Sequence, residues 1–134
     1  MAREAEMFPR GDILPFLFPC GGCKLYTFHV VYEQPYGTGI KIPFTRRPLW
    51  STGMAYQVVC GPCTMVNGRL EAADVNKLAT NMLPKSIWTA YPAIHLLYSP
   101  GYYEKHRSEL LGDSPDPGYA ADCDRWVSSY RLEI

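Results

Sequence analysis

Four cysteines stand in two short units of the same spacing, and this pattern is typical of a metal site. Cys20 and Cys23 form the first CxxC unit, and Cys60 and Cys63 form the second. Each unit can place two sulfur atoms on one ion, and two units supply the four ligands of a tetrahedral zinc site. The odd total of five cysteines and the paired spacing both favour a metal over disulfides. The sequence therefore predicts a four-cysteine zinc centre that stabilises a small domain.

The residues around the two units are suited to wrapping the chain closely around sulfur atoms. Gly21, Gly22 and Gly61 let backbone amides turn inward toward the thiolates. Residues 25–32 and 54–59 are rich in β-branched and aromatic residues, which predicts two strands. These strands can fold back on each other and bring the two cysteine units together.

Other segments give a coarse outline of the remaining elements. Residues 40–44 predict a short edge strand, and Asn67-Gly68 predicts a turn. In residues 71–83, apolar side chains recur at the spacing of one helix face, which predicts a helix that Pro84 ends. Residues 101–111 predict a second helix.

In this order of elements the chain resembles the small bacterial zinc-ribbon proteins over about residues 20–83. Besides the two CxxC units, the resemblance rests on the Ile-Pro-Phe stretch at 42–44, on Leu49-Trp50, and on the strand at 56–60 that enters the second unit. Lys24 and Thr64 stand where ribbon knuckles usually have glycine. The resemblance implies a zinc-ribbon fold and a bound zinc ion, with the four cysteines of the two CxxC units as its ligands.

We therefore expect a small mixed β+α protein in three parts. Residues 1–19 form an N-terminal arm. Residues 20–83 form a zinc ribbon, with antiparallel β-hairpins, two cysteine knuckles and a trailing helix. Residues 84–134 form an irregular, partly helical and aromatic-rich extension, because prolines interrupt their apolar periodicity.

The composition limits the classes of function. Hydrophobic residues make up 47% of the chain and charged residues 19%, which is typical of a folded domain. The 13 basic and 13 acidic residues balance, so there is no bulk attraction to nucleic acid or to an anionic membrane. No apolar run is long enough to span a bilayer. We expect a soluble cytoplasmic protein.

Iron is the alternative metal, because rubredoxins also bind one ion through two CxxC units and have an aromatic residue near the position of Tyr26. A catalytic zinc needs an open coordination position, which four cysteines would fill. His29 is interpreted as a half-exposed strand residue and not as a ligand. Asp122 and Asp124 flank Cys123 and raise its thiol pKa, which argues against a nucleophile. We find no catalytic constellation and expect a protein that is not an enzyme.

Two groups of side chains are candidate contact surfaces. Basic residues interleaved with aromatic residues can hold phosphates and stack bases, and a nucleic-acid or partner contact is therefore assigned to Lys41, Arg46, Arg47 and Trp50. The C-terminal extension either wraps the ribbon of its own chain or lies along a partner, and we predict partner contacts by Trp88, Tyr91, Tyr98, Tyr102, Tyr103 and Trp126.

The function expected from the sequence is that of a zinc-ribbon accessory or assembly subunit, which binds other proteins within a larger complex. A nucleic-acid-binding zinc ribbon is one alternative, and salt-dependent binding to RNA or DNA would distinguish it. A rubredoxin-like electron carrier is the other, and its visible spectrum would distinguish it.

Overall fold

The computed structural model describes residues 7–36, 40–41, 48–49, 53–111 and 116–134, and in these ranges it is a small mixed β+α protein. The strands are β1 (Phe8–Pro9), β2 (Phe16–Cys20), β3 (Leu25–Tyr36), β4 (Ile40–Lys41), β5 (Pro48–Leu49), β6 (Gly53–Cys60), β7 (Val66–Leu70), β8 (Met82–Leu83) and β9 (Arg131–Leu132). The helices are α1 (Ala72–Ala79), α2 (Lys85–Ala90), α3 (Pro92–Leu97), α4 (Tyr102–Leu111) and α5 (Pro117–Ser129).

The long strand β3 organises an antiparallel sheet. On one side β3 pairs with β6, from His29 opposite Cys60 to Tyr36 opposite Gly53. On its other side it pairs first with β2 and then, further along, with β1. Strand β7 continues the sheet beyond β6 and forms its far edge. Both predicted strands are confirmed, and each extends beyond the predicted range.

Apolar side chains cover both faces of this sheet, because successive residues of a strand point to opposite sides. On one face, Phe16, Phe18 and Val58 belong to an apolar cluster to which α1 and α2 also contribute. On the other face, Leu17 and Phe28 belong to a second cluster, with residues from α4 and α5. The short helix α3 contributes one buried residue to each cluster. The two clusters give the thin sheet a core on each side.

Helix α3 also covers the outer edge of β2. The hydroxyl oxygen of Tyr98, the residue after α3, accepts a hydrogen bond of 2.7 Å from the backbone N–H of Leu17. An edge strand otherwise presents such groups to water or to another chain. This hydrogen bond therefore closes the β2 edge of the sheet.

The end of the chain returns to the first helical segment. Strand β9 pairs in parallel with β8, and the Arg131 amide donates a 3.0 Å hydrogen bond to the Asn81 carbonyl. The Glu133 carboxylate lies 2.8 Å from the Lys77 ammonium and accepts a 2.7 Å hydrogen bond from the Lys85 amide. The hydrogen bond from Lys77 is the main cause of the lowered pKa of Glu133. These contacts fix the connection between α1 and α2.

Three segments differ from the sequence-based expectation, and each difference has a physical cause. The helix expected over 71–83 ends at Ala79, because Asn81 adopts a left-handed φ of 60° and the next two residues pair with β9. The turn expected at Asn67-Gly68 is part of β7, where Gly68 pairs with Val58 and a register shift leaves Asn67 as the extra residue. The N-terminal arm expected over 1–19 contains a strand, because residues 16–19 belong to β2 and pair with β3.

The aromatic-rich extension is more regular than expected. Residues 85–97 form two short helices that meet at Tyr91, and α4 matches the second predicted helix. Helix α5 is not among the predicted elements, although aspartate and proline, here Asp116 and Pro117, are common residue types at the start of a helix. The Asp116 side chain accepts a hydrogen bond from the Gly118 amide, which caps this helix.

The closed β2 edge leads to a test of stability. Replacing Tyr98 by phenylalanine removes the acceptor and leaves the Leu17 amide without a partner in a largely buried place. We expect the free energy of unfolding to fall by about 1–3 kcal/mol in urea denaturation. Tyr91→Phe is the matched control, because that ring is partly exposed and the described residues give its hydroxyl no hydrogen bond. Equal stability of the two variants would contradict the role of Tyr98.

Candidate metal centre

The four cysteines of the two CxxC units converge on one point. Their Sγ atoms all lie within 4.8 Å of one another. The Sγ atoms of Cys20 and Cys63 are 3.4 Å apart, and those of Cys23 and Cys60 are 3.8 Å apart. Tetrahedral coordination with bonds of about 2.3 Å places sulfur atoms about 3.8 Å from each other. The site therefore has the dimensions of one metal ion with four thiolate ligands.

Strand β3 brings the two units together. Cys20 is the last residue of β2 and Cys60 the last residue of β6, and both strands pair with β3. In this register Cys20 lies opposite Leu25, and Cys60 lies opposite His29. Each unit thus begins where its strand leaves the sheet, and the two strands flank β3 on opposite sides.

The two units have the same backbone turn. The Lys24 amide donates to the Cys20 carbonyl at 2.9 Å, and the Thr64 amide donates to the Cys60 carbonyl at 2.8 Å. Lys24 and Thr64 both have a φ of 61°, in the left-handed region. These are the positions where zinc-ribbon knuckles usually have glycine. The turn is therefore kept without glycine, at a cost of roughly 1–2 kcal/mol for each residue.

Two of the predicted glycines are needed because other atoms approach them closely. A Cβ atom at Gly22 would lie 3.2 Å from the Met65 sulfur and 3.4 Å from the Cys63 sulfur. A Cβ atom at Gly61 would lie 3.1 Å from the Phe28 carbonyl oxygen, which accepts a hydrogen bond from the Gly61 amide. Close approaches are thus found at Gly22 and Gly61, whereas a Cβ atom at Gly21 would make only ordinary contacts, the nearest at 3.5 Å.

The four thiols are not equivalent. Cys20 and Cys60 are buried, whereas Cys63 is exposed. Burial raises the pKa of Cys20, but hydrogen bonds from the Cys23 amide and the Asn67 side chain outweigh it and lower that pKa to about 6. A hydrogen bond with Cys63, followed by burial, raises the pKa of Cys23 to about 12. Without an ion, Cys20 thus gives up its proton more readily than Cys23, and a dication would favour the thiolate form of all four.

A hydrogen-bond network around the sulfur atoms holds the two units in place. Asn67 of β7 accepts a 3.0 Å hydrogen bond from the Gly21 amide, and its Nδ2 atom lies 2.8 Å from His29 Nε2. His29 Nδ1 lies 2.8 Å from the Thr27 carbonyl, and the Thr27 hydroxyl lies 3.0 Å from the Cys60 sulfur. Because a carbonyl oxygen can only accept, Nδ1 carries the proton and Nε2 accepts from Asn67. One connected network therefore reaches both CxxC units.

The role of His29 differs from the sequence-based interpretation in one respect. Its ring is fully buried, not half-exposed, because β2 and the Phe18 ring cover it. Burial is the main cause of its lowered pKa, which favours the neutral ring that the network requires. Among the described residues, the cluster able to hold an ion consists of the four cysteines, and His29 lies outside it.

Sequence reasoning misses the supporting residues Thr27 and Asn67. The sequence favours a turn at Asn67 because Asn-Gly commonly closes hairpins. Only the pairing of β7 with β6 brings it back to the first CxxC unit, so the register of the sheet is the information that the sequence pattern lacks. Thr27 is part of a correctly predicted strand, but its contact with Cys60 depends on that same register.

The basic candidate surface lies largely outside the described residues. Arg46, Arg47 and Trp50 are not described, and for Lys41 only the backbone of β4 is. The contact assigned to these four residues therefore stays a prediction.

The aromatic residues expected to contact a partner pack mainly within the chain. Tyr103 is 4% exposed, and the Trp126 ring centroid lies 5.2 Å from that of Phe28. The remaining contacts join Tyr98 to Leu17, Trp88 to His95, Tyr102 to His106, and Tyr91 to Phe18. Tyr98, Tyr91 and Trp126 thus contact residues of β2 and β3, and the partner contacts predicted for the six aromatic residues stay a prediction. Tyr91, at 37% exposure, retains the largest free surface of those whose exposure is quantified.

Cys123 is set apart from the metal centre. It is fully buried in the cluster beneath α4 and α5, and burial is the main cause that raises its pKa to about 11. A thiol with this pKa is almost entirely protonated at neutral pH. The sequence-based argument against a nucleophile therefore agrees with the structure, although burial contributes more than the flanking aspartates.

Comparisons with known proteins leave the functional interpretation to the structure. No protein-family model, no curated protein and no solved structure matches the chain. Within the described ranges, none of the helices has the length and the apolar character needed to cross a membrane.

The convergence of the sulfur atoms predicts one bound ion per chain. Cys60→Ser, at a fully buried ligand, should abolish stoichiometric metal binding and the cooperative thermal transition, because a structural metal contributes on the order of 10 kcal/mol to folding. Elemental analysis and circular dichroism measure both effects. Cys123→Ala is the control and should retain one ion per chain. A Cys60→Ser protein that keeps a full complement of metal would contradict the ligand set.

The network around the sulfur atoms predicts a smaller effect for Asn67. Asn67→Ala removes the links to Gly21 and His29 but leaves all four ligands, so affinity for added Zn²⁺ should fall about 10–100-fold. Competition with a chromophoric chelator measures the change. Asn76→Ala, at an exposed position of α1, is the matched control and should leave the affinity unchanged. Unchanged affinity in Asn67→Ala would show that the network does not support the site.

Proposed function

We propose that this chain is a structural zinc protein whose ribbon serves as a protein-binding accessory or assembly subunit of a larger complex. The observation that carries the proposal is the closed set of four cysteine sulfurs at the ends of β2 and β6. An ion with four thiolate ligands has no open position for water or substrate, which is typical of structural zinc and not of catalytic zinc.

The choice of zinc rests on the donor set together with the rest of the chain. Four thiolates in tetrahedral arrangement suit zinc or iron. The long strands and helical cover between and after the units, and the zero net charge, are unlike the compact acidic rubredoxins. Zinc therefore has the better support, and iron is the alternative that the colour of the protein tests.

The surface around the centre supports a binding role. Leu25, Met65 and Val66 are 48%, 46% and 43% exposed, and they lie next to the two CxxC units. Exposed apolar side chains beside a rigid site are suited to contact with another protein. In this proposal the ion keeps the two turns rigid and so presents these side chains in a fixed arrangement.

Purification of the full chain from its native source tests the proposal. We expect a colourless preparation with one zinc per chain and a protein partner that remains bound in stoichiometric amount. The Cys60→Ser variant should lose both, whereas Cys123→Ala should keep both. A zinc-loaded monomer without any partner would overturn the accessory role, and a red preparation that contains iron would overturn the choice of metal.

Nucleic-acid binding is the second candidate, because Lys41, Arg46, Arg47 and Trp50 combine basic and aromatic side chains in one short segment. Its signature is affinity for RNA or DNA that falls as salt is raised. Charge reversal of Arg46 and Arg47 should abolish such binding while zinc content stays at one per chain, because all four candidate ligands are cysteines and remain in place.

A further inference from the structure

The two edges of the sheet differ in whether other described elements cover them. At the β2 edge, α3 covers the strand and Tyr98 accepts the hydrogen bond of an outward-pointing amide. Strand β7 forms the opposite edge, and within the described part of the chain no strand pairs with its outer side. Alternate residues of an edge strand direct their N–H and C=O groups outward. The β7 edge therefore offers hydrogen-bonding groups to another extended chain.

A trough lies on one face of the sheet next to this edge. It lies between β7 and α2, has a volume of about 420 Å³, and includes Phe18, Val58 and Gly68 among its lining residues. Gly68 leaves the trough open, because it places no side chain over the Phe18 ring. A Cβ atom at Gly68 would be 3.7 Å from Phe18 Cζ, an ordinary van der Waals contact. The trough is thus open above Gly68, in the middle of an edge strand.

The charges at the rim of the trough indicate what would fill it. Glu71 and Asp74 line it from the start of α1, and neither carboxylate forms an ion pair with any described residue. The partly exposed Tyr91 ring also lines it, with its centroid 4.8 Å from that of Phe18. The exposed Arg69 also lines the trough, so its charged side chains, one cation and two carboxylates, carry a net negative charge. An apolar floor below carboxylates and an aromatic ring is complementary to a long basic side chain.

We propose that β7 binds an extended segment of a partner protein as an added strand, with one arginine or lysine side chain of that segment in the trough beside Gly68. This inference rests on the proposed protein-binding function and specifies its surface and its partner chemistry. The backbone hydrogen bonds of β7 supply affinity, and the trough supplies selectivity, as in other cases of strand addition.

A second copy of the chain fits this edge less well. Antiparallel pairing of two β7 strands about their centres would place Gly68 near Gly68 and leave both troughs empty. A basic segment instead places a side chain across the glycine, where it covers the apolar ring that the glycine exposes. Its cation meets Glu71 and Asp74, two carboxylates of the trough lining that form no ion pair with a described residue.

A selection experiment with random peptides tests the proposal directly. The probe is a displayed library of random nine-residue peptides, and the target is the full zinc-loaded chain. We expect enriched peptides to be rich in β-branched residues and to contain arginine or lysine at a fixed central position. Exchange of that basic residue for glutamate in a synthetic copy should weaken binding at least 10-fold in fluorescence anisotropy.

Variants of the protein connect such binding to the trough. Gly68→Val fills the trough with a residue that strands accept well, and should reduce affinity for the selected peptide at least 10-fold with metal content unchanged. Glu71→Gln combined with Asp74→Asn should reduce the preference for the basic peptide over its glutamate copy. Glu104→Gln, at an exposed position of α4, is the charge control and should change neither quantity.

The outcomes separate this proposal from the broader function. No enrichment, equal binding by Gly68→Val, or concentration-dependent dimerisation that Gly68→Val abolishes would overturn strand addition by a partner. A native partner that still copurifies with Gly68→Val would likewise overturn it, while leaving the accessory role intact. Loss of zinc or of every partner from the wild-type chain would instead overturn the proposed function itself.

Discussion

The pairing of β3 with a strand on each side is the constraint on which the rest of the structure depends. Strands β2 and β6 both end in a cysteine at the same end of β3, so hydrogen bonding along the sheet determines where the sulfur atoms meet. The sheet would in turn depend on the metal centre. An ion that joins both units would fix the separation of β2 and β6, and would thereby stabilise a sheet whose edge strands are only five residues long.

The local pattern of the sequence is sufficient for the ligand set and the central strands. CxxC spacing, glycines and β-branched runs are signals within a few neighbouring residues. They are sufficient to predict Cys20 and Cys60 as candidate ligands and to predict the two long strands. Helix α4 is likewise visible from its local composition. These features survive in the structure because packing and local preference favour the same conformation.

What could not be predicted depends on contacts between distant residues. The short strand β8 exists only because β9 pairs with it, and the end of α1 follows from that pairing. Asn67 reaches Gly21 through the register of β7, not through any nearby sequence signal. The aromatic residues of the C-terminal extension are recognisable as contact residues, but their alternation between the two sides of the sheet is not evident from a pattern interrupted by prolines.

The return of the chain from α5 to the first apolar cluster has a consequence for the order of events during synthesis. The Tyr130 ring packs with Phe16, and its hydroxyl donates a hydrogen bond to the Leu14 carbonyl. A nascent chain can therefore assemble its cysteine turns on the ribosome well before one face of its sheet is fully covered. During that interval the apolar face would be open to solvent, and a bound ion would be the main force that keeps the early strands together.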